Sequence, residues 1–77
     1  MKLRSYISGL NAAEQVAYAQ RCGIAISYLR MHVKYASKDP SIALIRALVR
    51  ESEGFVSMRE VLEHFKLIDV VKSSNAA

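Results

Sequence analysis

Gly23 interrupts the most helix-prone stretch of the chain. It stands in "RCGIAISYLR", residues 21–30, and is one of only three glycines in 77 residues. Before it, residues 12–22 are rich in Ala and Gln, both good helix formers. After it, Leu29 and Val33 recur at helical spacing. A glycine just past a helix end adopts the left-handed conformation without a Cβ penalty. The chain must therefore turn sharply here, and the pattern predicts a helix over about 12–22 and another over about 26–35. Ile24 follows the turn as an apolar plug, and Val16 and Ala19 give the preceding helix an apolar side of little bulk.

The remaining elements also read as helices. Leu3, Tyr6, Ile7 and Leu10 recur at helical spacing, which predicts a first helix over 2–9. Asn11 followed by Glu14 is a capping box for the second helix. In "SKDPS", Asp39 is expected to cap a fourth helix over 40–52, with Pro40 at its first position. That helix is expected to pack with Ile42, Ile45, Leu48 and Val49 and to stop at Gly54. Ser57 and Glu60 form a second box, "SMRE", ahead of a fifth helix that points Val61, Leu62 and Phe65 inward. "KLIDVV", residues 66–71, either extends this helix, forms a short strand or offers a dimer contact, and "SSNAA" is a frayed end. There is no internal repeat. The expected fold is all-α, a compact five-helix bundle, with one domain over residues 1–66 and a tail over 67–77.

Composition narrows the setting. The single cysteine, Cys22, cannot form an internal disulfide or a cysteine-based zinc site, which fits a reducing, cytoplasmic environment. "MKLRSYISGL" lacks the apolar run of a signal peptide, and no stretch approaches the ~18 apolar residues of a membrane span, so no membrane partner is expected. Net charge is +4, and it is unevenly spread. Residues 1–38 hold six bases (Lys2, Arg4, Arg21, Arg30, Lys34, Lys38) against one acid, Glu14. Residues 39–77 hold five bases against six acids. All the excess positive charge sits in the first half, which points to a polyanionic partner.

Two helices joined by a short glycine turn, with basic and polar groups on the second, describe a helix-turn-helix spanning about 13–34. The usual pattern asks for Ala four residues before the glycine and apolar residues one, six and ten after it. Ala19, Ile24, Leu29 and Val33 meet it, while His32 departs from the apolar residue usual at the ninth position. On a helical wheel Leu29, His32 and Val33 share one side, Ser27, Met31 and Lys34 lie opposite, and Tyr28 and Arg30 lie on the flanks. Arg30 can bridge guanine O6 and N7, Ser27 can donate or accept at base edges, and Met31 can meet a thymine methyl. Lys34 and Lys38 are placed for phosphates, and Tyr28 for a phosphate or a packing contact. Ser27 is equally placed to be the N-cap of the third helix.

The opening "MKLRSYISGL", the central "AYAQRCGIAISYLR" and the closing "GFVSMREVL" together resemble the Cro-type helix-turn-helix regulators of phage and prophage origin, in particular their YdaS-like subgroup. The resemblance covers residues 1–65. The closing stretch is similar to that subgroup's G-x-V-[ST]-R-x-x-L ending, with Met58 inserted between Ser57 and Arg59. The resemblance implies an all-helical DNA-binding regulator, often dimeric, acting on paired operator half-sites in a phage, prophage or toxin–antitoxin operon.

Other chemistries find less support. His32 reads as a satisfied, half-buried histidine, His64 as a helix C-terminal residue favourable to the dipole, and Cys22 as a small buried apolar residue. One cysteine and two separated histidines supply neither a nucleophilic pair nor a metal cluster, and there is no glycine-rich phosphate loop. No enzyme activity, cofactor or small-molecule ligand is expected. The alternative function is a protein-interaction module, an antitoxin or adaptor using the same helices without DNA, with "KLIDVV" as its binding segment.

Overall fold

Local hydrogen bonds decide where most of these helices begin. In the structure, a computed structural model that describes residues 1–68, Asn11 accepts from the Glu14 backbone N–H at 2.8 Å and Glu14 returns the bond to the Asn11 N–H at 2.9 Å. This box starts α2 (Ala12–Arg21), directly after α1 (Leu3–Gly9). A second reciprocal box between Ser57 and Glu60 starts α5 (Met58–His64). Each box satisfies two backbone donors that a helix start leaves open.

Gly23 ends α2 as the spacing predicts, at φ +76°. Its N–H donates to the Gln20 carbonyl and the Ile24 N–H to the Ala19 carbonyl, both at 3.0 Å. That pair of bonds is a Schellman closure, which re-pairs the last carbonyls of the helix. The chain reverses and enters α3, whose first turn, Ile26–Tyr28, continues as a π turn over Leu29–Val33. α4 (Ile42–Glu51) completes the set, so the described residues form five helices and no strand.

The helices close around one core. α2 lies against α3 and α4, and α5 lies against α1 and α4. Leu3 and Ile7 from α1, Tyr18 and Ala19 from α2, Leu29 and Val33 from α3, Leu48 from α4, and Val56 and Val61 are all buried. Tyr18 brings a phenol into this apolar space, and its hydroxyl donates to the Leu48 carbonyl at 2.6 Å. Burial pushes that phenol's pKa well above its ordinary value. Ser52 is the one buried polar residue of the described set. Its hydroxyl donates to the Val49 carbonyl at 2.7 Å and accepts from the Val56 N–H at 3.1 Å, tying the end of α4 to the loop before α5.

Several sequence expectations are corrected. α4 starts at Ile42, and its cap is Ser41, which accepts from the Leu44 N–H at 3.1 Å, so Asp39 and Pro40 lie before the helix. Ser41 itself takes the extended backbone of an N-cap, at φ −69° and ψ 160°, so the first helical turn forms one residue beyond Pro40. Ile42 thereby becomes the first helical residue and stands 67% exposed, while Leu44, Ile45, Ala47 and Leu48 face inward. The N-cap of α3 is Ala25, so Ser27 lies within the helix and caps nothing. α4 stops before Gly54, because Glu53 takes the left-handed position at φ +56°. α5 does not run into "KLIDVV": Lys66, at φ +59°, closes it, with Lys66 N–H to Glu63 and Leu67 N–H to Leu62. Residues 69–71 of that segment, and the "SSNAA" end, lie outside the described residues.

Candidate nucleic-acid interface

α3 carries Ser27, Tyr28, Arg30 and Met31, with Lys34 and Lys38 just beyond it, and of the three residues expected on its buried side Leu29 and Val33 are buried while His32 is half-buried. Leu29 and Val33 are inside the core, with Ile24 and Ile26 half-buried beside them. This anchors α3 along one side and leaves Ser27, Arg30 and Met31 exposed, Met31 at 63%. Lys38 is also exposed. Tyr28 is half-buried, its ring 5.1 Å from that of His32.

The π turn changes the disposition of this face. The Lys34 N–H donates to the Leu29 carbonyl, five residues back, at 2.9 Å. An α turn closes in 3.6 residues and a π turn in about 4.4. In an α turn the His32 side chain would lie about 60° from Leu29, on the buried side. The wider turn swings it outward, which spares the imidazole a burial cost. There the Nδ1–H donates to the Ser37 Oγ at 2.7 Å, since the Ser37 proton goes to the Met31 carbonyl at 3.3 Å. His32 is therefore the satisfied, half-buried histidine expected.

Lys34, four residues after Arg30, has surroundings of its own. Lys34 is half-buried, with its Nζ 5.4 Å from the centre of the Tyr35 ring. The Arg4 guanidinium, from α1, lies 5.1 Å from that ring. Two cations thus share one exposed phenol at the C-terminal end of α3. Arg30 finds a separate partner: its Nε donates to the Gln15 Oε1 on α2 at 3.0 Å. Arg4, Gln15 and Tyr35 escaped the sequence reading, because these contacts join residues 15 to 31 positions apart and no local periodicity encodes them.

Charge pairing sorts the bases. Arg21 and Arg50 pair with Glu51, and Arg59 pairs with Glu63. The Glu51 carboxyl is held below the usual range, chiefly by the hydrogen bond from Arg50. Among the described residues no carboxylate forms an ion pair with Arg4, Arg30, Lys34 or Lys38. The positive charge of α3 and its surroundings is accordingly left for solvent or a ligand.

The other singled-out side chains have structural surroundings. The His64 Nε2–H donates to the Val33 carbonyl at 2.6 Å and so fastens α5 to the end of the π turn, rather than serving its own helix end alone. Cys22 is half-buried beside the Gly23 turn, and desolvation pushes its thiol up to about 11, so it is protonated at neutral pH. Among the described residues no three His, Cys, Asp or Glu side chains come together as a metal site, and no helix is long and apolar enough to cross a membrane. No family model, curated protein or solved structure matches the chain.

Proposed function

We propose that this protein is a sequence-specific DNA-binding regulator of the Cro-like kind, with α2, the Gly23 turn and α3 acting as a helix-turn-helix. The observation that carries the reading is the exposed side of α3: base-reading side chains, Ser27, Arg30 and Met31, beside cations that no carboxylate neutralises. The buried template positions Ala19, Leu29 and Val33 support it. In this reading α3 enters the major groove and Arg30 reads a base edge. Lys34 and Lys38 meet phosphates, and the Arg4–Tyr35 pair adds a backbone contact from α1. Two copies would occupy half-sites one helical turn, about 34 Å, apart. Bound at an operator of a phage, prophage or toxin–antitoxin operon, the protein would act as a repressor by excluding polymerase. This is work for the cytoplasm and needs no cofactor or catalysis.

The test is selection of bound sequences from a random duplex pool, followed by gel shifts at two salt concentrations. A palindromic consensus whose affinity falls with salt supports both the function and the dimer. Failure to shift any duplex at either salt discards the reading in favour of a protein-interaction module.

A further inference from the structure

We infer that Gln15 is a specificity-determining positioning residue, which acts by locking the Arg30 guanidinium in one orientation before DNA is met. The inference rests on the DNA-binding reading and adds to it a residue that reaches no base itself. Gln15 sits in the first turns of α2, half-buried. Its Nε2 donates to the Ile7 carbonyl at 3.1 Å and to the Leu10 carbonyl at 3.3 Å, where α1 ends. Both are acceptors, so the amide end of Gln15 must face them and the oxygen must face away. That oxygen receives the Arg30 Nε–H at 3.0 Å. The carboxamide is thus fixed by backbone at one end and presents a single acceptor at the other.

The consequence falls on Arg30. A guanidinium has five N–H donors in a rigid plane. Gln15 occupies the Nε–H, which leaves the two Nη groups as an end-on fork. An exposed arginine otherwise spends rotamer entropy when it docks. Arg30 has its plane set in advance by a residue anchored to α1, so the end-on pair is the one offered to guanine O6 and N7. Orientation also matters for rejection: a tethered fork cannot swing to a phosphate when the base is wrong.

The experiment compares wild type, Gln15→Met, Arg30→Met and the double variant. Each is measured on the selected duplex and on a set in which every base pair is changed singly. Arg30→Met identifies the base pair that Arg30 reads. At that pair Gln15→Met should lower discrimination roughly three- to tenfold, a charge-assisted hydrogen bond at an exposed site. Its binding to scrambled duplex should stay within about twofold. The double variant should discriminate no worse than Arg30→Met, because the two residues act as a unit. A purely structural role for Gln15 would instead weaken all duplexes together.

A second measurement needs no DNA. In the unbound protein the Arg30 Nε–H should give a resolved, slowly exchanging NMR signal that Gln15→Met abolishes. Gln15→Ala, which offers no acceptor and suits a helix, should abolish it too and serves if Gln15→Met does not fold. Undiminished discrimination in Gln15→Met, or additive losses in the double variant, overturns the positioning role and leaves DNA binding standing. A wild-type protein that selects no sequence overturns the DNA-binding reading, and the specificity role with it, even with the Nε–H signal intact.

Discussion

The left-handed helix ends offer a stability test with opposite signs at two sites. Gly23 closes α2 at φ +76°, and a Cβ built there meets no atom within 4 Å. Any cost of Gly23→Ala is therefore backbone strain and not collision. Left-handed backbone costs an L-residue about 1–2 kcal/mol. The reduced entropy of the unfolded chain returns roughly 0.4–1 kcal/mol. Gly23→Ala should lose about 0.5–1.5 kcal/mol and Gly23→Val ~2 kcal/mol or more, since a β-branched residue is worse still in this region. Glu53 is the mirror case. It closes α4 at φ +56°, exposed, and its carboxylate makes no ion pair among the described residues. Glu53→Gly relieves the same strain and adds about 0.5–1 kcal/mol of unfolded-state entropy cost, for a net gain of ~0.5–1 kcal/mol. In a domain this small, 1 kcal/mol moves the thermal midpoint by about 4–8 °C. Urea titrations followed by circular dichroism read both variants. Midpoints that move in the same direction, or a Gly23→Val protein as stable as wild type, would refute the assignment of these turns.

Three further outcomes are expected. Ser52→Ala strands the buried Val56 N–H that the hydroxyl now satisfies and should cost about 1–3 kcal/mol by urea unfolding. Because burial raises the Cys22 thiol from 9.0 to about 11, the neutral thiol favours the fold. That contribution is complete below about pH 9 and disappears as pH rises toward about 11, so the stability difference between wild type and Cys22→Ala should shrink over this window and stay flat below it. On DNA, Lys34→Ala should weaken all duplexes alike and lower the salt slope by about one, whereas Arg30→Ala should cost ~1–3 kcal/mol on the selected sequence and much less on scrambled duplex. Equal losses for both variants on both duplexes would reduce Arg30 to another phosphate contact.

What the sequence by itself determined is what neighbouring residues settle among themselves. Both capping boxes, Asn11–Glu14 and Ser57–Glu60, span three residues, and their donors and acceptors meet as soon as one turn forms. Gly23 could be read as a helix end because its lack of a Cβ makes the left-handed conformation inexpensive in any context. The buried side of α3 followed from spacing, since helical geometry puts Leu29 and Val33 on one side before any partner arrives. Tertiary structure decided the rest. Ala36, Glu53 and Lys66 adopt left-handed backbone with no local preference for it, at φ +53°, +56° and +59°. Packing of the helices they join has to outweigh that strain. Ile42 was an apolar residue at a plausible core position, yet packing turned the side holding Leu44, Ile45, Ala47 and Leu48 inward, and Ile42 lies on the opposite side. The π turn over Leu29–Val33 has no mark in the spacing, and neither has the meeting of Lys34 and Arg4 at the Tyr35 ring. The Gln15–Arg30 bond exists only because α1 ends where its carbonyls can hold the Gln15 amide. Such contacts depend on where whole helices sit relative to one another, and a residue's sequence neighbours carry no record of that.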